Sequence, residues 1–270
     1  MAAGQGARFG RPKQLEPVGP SEETLIDYVL FDAARACFEH AVLIVRDEIA
    51  AAVEALAARH AARLRVSLAL QPSAQHMPRG TVAAVLAAGD RIDGPFAALN
   101  ADDFYGAEAY ERAARFLQDH RVPSDTHAVI ALPLAVTLSP HGGVVRAVCD
   151  TNGDTLVRLD EIRDIERRGS QVVSGDRLFT GRELVSMNFW AFQRGILPDL
   201  AREFDRFARA HDARHELPLP VAIDALIADG RARVRVLEAP GPWMGLTHPS
   251  DLPLVRDALG RAGYPTPVWG

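Results

Sequence analysis

Gly4, Gly6 and Gly10 share the first thirteen positions of this 270-residue chain with Arg8 and Lys13. Glycine lets a backbone turn at positive φ, come close to a ligand and aim its N–H groups at phosphate oxygens. Arg8 would add a bidentate fork against the same phosphates, and Lys13 a mobile point charge. The spacing is not that of a dinucleotide fingerprint. Gln14 stands where the Lys-Ser/Thr phosphate loop needs a hydroxyl. A second reactive group lies at Asn100-Ala-Asp-Asp-Phe-Tyr-Gly106, where Asp102 and Asp103 follow the apolar run Phe96-Ala-Ala-Leu99. A strand ending in carboxylates suits Mg2+, which takes a few hard oxygens plus water and substrate phosphate. Adjacent residues of an extended chain face opposite ways, so one of the two aspartates is enough.

Other polar residues stand in telling places. Gln71 follows an apolar run and precedes a proline-containing stretch, so its amide would either meet a nucleobase edge or lie at the surface. Gly80 would allow a base to come close. Asn188 sits inside the apolar Met187-Asn-Phe-Trp-Ala191, and a buried amide must find partners. Those partners are either acceptor hydroxyls or neighbouring backbone groups. No persuasive Ser-His-Asp or Cys-His arrangement is present, so covalent catalysis by the protein is not indicated.

Composition narrows the class. The formal net charge of -5 opposes a general nucleic-acid binder, which would show a basic field. A hydrophobic fraction of 48% and a charged fraction of 24% are those of a globular chain. The two cysteines, Cys37 and Cys149, are expected as buried free thiols. No apolar run is long enough to cross a bilayer or to serve as a signal peptide, so the expectation is a cytoplasmic protein with no membrane partner.

The elements that must position these residues alternate. Helices are expected at 25–37, 47–60, 81–88 and 107–120, and strands at 41–45, 64–70, 95–101 and 128–135. Residues 71–79 read as a loop. A hairpin around Asn152-Gly153 is expected within 142–160, then loop at 165–174. A strand at 183–192, helices near 197–211 and 221–229, a strand at 232–237 and a helix at 251–263 complete the chain. The pattern predicts an α/β fold: a Rossmann-like, mostly parallel central sheet with helices on both faces. One domain is expected over 1–270, with a nucleotide half in 1–135 and an acceptor half in 136–270. A phosphate loop on such a sheet normally follows a strand, and Ala2 and Ala3 are too few to make one. Either the first strand is cut short, with Met1 lying inside it in the full protein, or the loop is held in another way.

The opening resembles the glycine-rich signature of the nucleotidyltransferases, specifically the sugar-phosphate nucleotidylyltransferases. The segments Gly10-Arg-Pro-Lys-Gln-Leu, Gly80-Thr-Val-Ala-Ala-Val, Asn100 to Gly106, Ser186-Met-Asn-Phe-Trp190 and Trp243-Met-Gly-Leu-Thr247 extend the likeness along the chain. The resemblance implies a nucleotide-diphospho-sugar transferase (GT-A-like) fold. The implied reaction is Mg2+-dependent transfer of a nucleoside monophosphate from an NTP to a sugar 1-phosphate. Ala3, Gly4, Gly6, Gln71, Gly80 and Thr81 would line the nucleotide, Arg8 and Lys13 would act catalytically, and Asp102 would hold the metal. Glu161 and Asn188 would face the acceptor. Family members usually bring a second aspartate near the C-terminal strand; here only Asp251 is close, and it reads as a helix cap. Two alternatives stay open: a cytidylyltransferase of non-sugar alcohol phosphates, and an inactive nucleotide-binding partner.

Overall fold

The computed structural model describes residues 1, 12–71, 80–211, 214–246 and 249–270. Ala3, Gly4, Gly6 and Arg8 lie outside the described residues, as do the expected loop residues 72–79.

Helix α1 (Leu25–Arg35) opens with a capping box in which the Asp27 carboxylate accepts from both the Thr24 backbone N–H, at 2.7 Å, and the Thr24 hydroxyl, at 2.9 Å. Strand β1 (His40–Val45), helix α2 (Asp47–Ala58) and strand β2 (Arg65–Leu70) follow. Asp47 and Glu48 occupy the first turn of α2, where carboxylates complement the helix dipole. β1 and β2 pair in parallel, His40 with Arg65 through Val45 with Leu70. Helix α3 (Thr81–Ala87), strands β3 (Phe96–Ala98) and β4 (Asp103–Phe104), helix α4 (Ala107–Gln118) and strand β5 (Thr126–Pro133) complete the first half.

The second half supplies β6 (Val144–Asn152), β7 (Thr155–Arg168), β8 (Gln171–Ser174), β9 (Arg177–Phe179) and β10 (Leu184–Phe192). Then come α5 (Ile196–Ala210), α6 (Leu219–Ala228), β11 (Arg233–Glu238), β12 (Met244–Gly245) and α7 (Leu252–Arg261). The larger sheet runs β11-β5-β10-β6-β7-β8-β9, with β3 added on β10. β5 and β11 are parallel, whereas β10 is antiparallel to β3, β5 and β6. The result is an α/β fold with a mixed central sheet.

Helices cover both faces because the strands alternate. Val129, Ala131, Trp190 and Phe192 point into one core with α3, α5 and α6. Ala128, Ile130, Leu132, Phe189 and Ala191 point the other way, into a core with α1 and α4. Both cores draw on residues from the two halves of the chain.

The Asn152-Gly153 turn forms as expected, with Asn152 opposite Thr155 and Gly153 at φ 63. The expected loop at 165–174 does not: β7 runs on to Arg168 and turns into β8, with Arg168 opposite Gln171. Asp164, at φ 53, interrupts the regular alternation there, so the segment's two-residue period is hidden in its sequence. Cysteine burial also differs from expectation. Both thiols are free, but Cys37 is exposed beyond the end of α1, and Cys149 is only partly buried. Among the described residues, no helix is long and apolar enough to cross a membrane.

Candidate active site

β1, β2 and β3 end on the same side of the fold. In open α/β sheets, ligands gather at the carboxyl ends of such strands. Gln71 follows β2 directly, and its backbone N–H donates to Val45 at 2.8 Å. Asp102 lies just past β3. Lys13, in a short 3₁₀ turn, reaches the same place: its ammonium lies 2.6 Å from Asp102 Oδ2 and donates to the Leu246 carbonyl at 2.9 Å. Both side chains remain about one-fifth accessible, 20% for Lys13 and 17% for Asp102.

Asp103 turns inward, as alternation requires. Asn100 Nδ2 donates to its Oδ2 at 2.9 Å, and the Tyr105 hydroxyl lies 3.4 Å from the same oxygen. Burial, with the charge of Asp102 next, pushes its carboxyl up to about 7. β12 pairs with β4, Gly245 opposite Asp103, which brings Leu246 to Lys13. Only glycine fits at that crossing: a Cβ on Gly245 would stand 2.6 Å from Asp103 Oδ1 and 2.9 Å from the Trp243 ring.

A relay of amides supports this arrangement. Asn188 Nδ2 donates to Asn100 Oδ1 at 2.8 Å, and Trp190 Nε1 donates to Asn188 Oδ1 at 2.9 Å. Asn188 lies in the irregularity of β10 between Ser186 and Trp190, at φ 63, a conformation asparagine tolerates better than most residues. Its amide is thus engaged by side chains from β10 and from the loop after β3.

Arg146 and Trp243 were not singled out from sequence. The Arg146 guanidinium lies 5.1 Å from the Trp243 ring centroid, and its Nε donates to Thr137 Oγ1 at 3.1 Å. It also donates to the Thr137 and Val145 carbonyls. Burial lowers its pKa to about 10, while the Asp103 charge acts in the opposite direction. An arginine on an exposed-looking hairpin strand and a tryptophan ninety-seven positions later carry no local spacing signal.

The remaining expected residues stand apart. Gly80, at φ 116, caps α3 where a Cβ would meet the Leu217 carbonyl oxygen at 2.5 Å, so its close approach is to backbone. The Thr81 hydroxyl accepts from the Leu219 N–H at 2.6 Å. Glu161 is exposed on β7 and pairs with Arg163 at 2.7 Å. Asp251 makes no side-chain capping bond to α7, contrary to expectation; it faces His141 Nε2 at 3.5 Å. Among the described residues, no group of three or more His, Cys, Asp or Glu side chains stands together as a metal site.

These features place a lysine and two carboxylates beyond the strand ends of an α/β sheet, and comparison with known proteins gives the family. Residues 1–150 match the profile of the MobA-like NTP transferase domain, and the chain belongs to that family. Its class of chemistry is therefore nucleotidyl transfer. No curated protein matches the chain. Among solved structures, it is similar to the inositol-1-phosphate CTP transferase from T. maritima, with TM-score 0.70 and 12% identity over 97% of this chain and 93% of that one. A putative glucose-1-phosphate thymidylyltransferase from Bacillus anthracis, in complex with a sucrose, gives TM-score 0.69 and 12% identity over 96% and 93%. UDP-glucose pyrophosphorylase complexed with UDP-glucose gives 0.66 and 16% over 96% of each chain.

Proposed function

We propose that this chain transfers a nucleoside monophosphate from an NTP to a sugar 1-phosphate, releasing pyrophosphate. The observation that carries the reading is the Lys13 ammonium held between Asp102 and the Leu246 carbonyl. It lies past the carboxyl end of the strands and follows the glycine-rich opening. A phosphate oxygen of the acceptor attacks the α-phosphorus, a new P–O bond forms, and the bond to the departing pyrophosphate breaks. The attacking phosphate is largely ionised near neutral pH, its second pKa being about 6, so no general base is required. Lys13 and Arg8 would offset the charge that grows on the transferring and leaving phosphates. Backbone N–H groups from Gly4 to Gly10 would cradle them.

The donor set suits Mg2+. Asp102 offers a partly accessible hard-oxygen ligand, and the lysine ammonium against it marks the position as one that accepts a cation. Asp102 would hold the ion, with water and phosphate oxygens completing its shell. The ion would neutralise phosphate charge. Gln71, Gly80 and Thr81 would border the nucleoside. On the acceptor side, Asn188 would act through Asn100, and Glu161 would reach in from β7.

A pyrophosphate-release screen tests the reading. It crosses the four NTPs with sugar 1-phosphates and with non-sugar alcohol phosphates, with and without Mg2+. Release with one NTP and a sugar 1-phosphate, lost on chelation, is the expected result. Release with alcohol phosphates alone would replace it with the cytidylyltransferase reading. Nucleotide binding without any release would indicate a sensor.

A further inference from the structure

Arg146 sinks into the fold without a carboxylate against it. By contrast, Arg231 is held by both Asp199 and Glu203. Arg146 is bonded only to uncharged groups, the Thr137 hydroxyl and the Thr137 and Val145 carbonyls. Among the described residues it forms no ion pair, and the charge of Asp103 acts on it only from beyond contact. A cation drawn out of water without a counter-charge is costly. The position calls for an anion from outside the chain.

The geometry gives the shape of that anion. A guanidinium carries five N–H donors in one plane. The Nε and one Nη of Arg146 reach the Thr137 hydroxyl and carbonyl, and the other Nη turns back to the Val145 carbonyl. Thr137 is itself fixed: it is fully buried in the 3₁₀ turn Leu134–Thr137, and its hydroxyl donates to the Leu134 carbonyl at 3.0 Å. The face of the guanidinium lies over the Trp243 ring, which favours its charge and holds its plane. One N–H on each Nη remains, side by side at the outer end of the group. Such a fork matches two oxygens of a phosphate.

The fork also stands in the right place. β6 and β10 pair at Val148–Val185 and Ala147–Ser186, so the next step of that register sets Arg146 opposite Met187, one residue from Asn188. On the other flank, a Cβ on Gly245 would stand 2.9 Å from the Trp243 ring and 2.6 Å from Asp103 Oδ1. Arg146, Trp243, Gly245 and Asp103 thus form an unbroken row that ends beside Asp102.

We propose that Arg146 binds the phosphate of the acceptor, its outer fork holding two of the three terminal oxygens of a phosphate monoester. The third oxygen is left free to form the new bond to the α-phosphorus as the bond to pyrophosphate breaks. Arg146 transfers no proton. A carboxylate would have both its oxygens occupied by the fork, so the same geometry rejects carboxylic acids as acceptors. Trp243 and Thr137 are positioning residues, one fixing the plane of the guanidinium and the other its inner edge. The inference rests on the proposed reaction and adds the residue that selects its acceptor.

Two measurements test it. Arg146→Lys keeps the charge and loses the planar fork. In the pyrophosphate-release assay it is expected to raise KM for the sugar 1-phosphate by about tenfold or more, as for one lost charged hydrogen bond, and to leave KM for the NTP within about twofold. The second measurement needs neither turnover nor a variant. Crystals of the parent protein soaked in tungstate, a tetrahedral oxyanion, are expected to show its anomalous signal with oxygens in hydrogen-bond reach of both Arg146 Nη atoms. Tungstate bound there in a protein that releases no pyrophosphate would count against the proposed reaction and for the fork. An unchanged acceptor KM, acceptor and NTP KM values that shift together, or tungstate absent from Arg146 would overturn the inference.

Discussion

Replacing Gly245 by alanine tests the link between the β4–β12 pair and the candidate site. The added methyl would lie 2.6 Å from Asp103 Oδ1 and 2.9 Å from Trp243. Ordinary contact needs about 3.5 Å, so the two strands must separate by roughly 1 Å. Overpacking of this kind costs about 1–3 kcal/mol. For a chain of this size, each kcal/mol lowers Tm by roughly 2–4 °C. Asp103 cannot yield freely, because its other oxygen is held by Asn100 at 2.9 Å. Movement of β12 therefore carries the Leu246 carbonyl away from Lys13. A misplacement near 1 Å can cost on the order of 100-fold in rate, and a drop of that size in kcat/KM is expected in a pyrophosphate-release assay. Gly89→Ala is the control, because a Cβ there meets nothing within 4 Å. A Gly245→Ala protein with unchanged Tm and unchanged kcat/KM would refute the reasoning.

Lys13→Ala should lower kcat by about 10²–10³-fold, as for a lost oxyanion donor. The part-exposed pair it removes is worth only about 1 kcal/mol of stability, so paired kinetic and denaturation data separate the two effects. Asp103→Asn should change the pH dependence of stability. The carboxyl's pKa is raised from 3.8 to about 7 in the fold; its contribution is fully present below 3.8 and is lost as pH rises through 7. The variant should therefore gain on the parent between pH 5 and 8, and parallel stability curves would refute this. Asn188→Ala and Asn188→Gly both lose the bonds to Asn100 and Trp190, at about 1–3 kcal/mol for each group left buried without a partner. The alanine variant should be less stable than the glycine variant by roughly another 1 kcal/mol, because only glycine takes positive φ without strain. Urea midpoints that rank the two equally would show that φ 63 is not a constraint.

The sequence made the regular elements readable because α2, α4 and α5 each bury one face, and β5 is a continuous apolar run between neighbours. Asn152-Gly153 announced its turn for the same local reason. The meeting of Lys13 with the Asp102 region was suggested by a glycine-rich opening and by carboxylates at a strand end. Local pattern fails where long-range packing decides. β7 beyond Asp160 buries only Ile162 and Ile165 among charged residues, so it looks like loop until β8 is paired with it. Asn188 could be recognised as needing partners, but its choice of Asn100 and Trp190 depends on a bulge that the sequence does not mark. Arg146 meets Trp243 only because the hairpin and the segment before α7 converge.

The contact between Lys13 and Leu246 spans 233 positions. It is accompanied by the bond from Tyr264 to Asp32 and by a core in which Leu25, Tyr28 and Phe31 pack against Val255, Leu259 and Val268. Residues 13–31 therefore complete part of their packing only once residues 246–268 have been made. At about 5–20 residues per second, the wait is on the order of ten to fifty seconds. Throughout it, Leu25, Tyr28 and Phe31 lack Val255, Leu259 and Val268, while Ile26 and Leu30 on the same helix can already pack on Leu43, Val45 and Val53. A stop codon ahead of α7 would leave that side of α1 permanently without Val255, Leu259 and Val268.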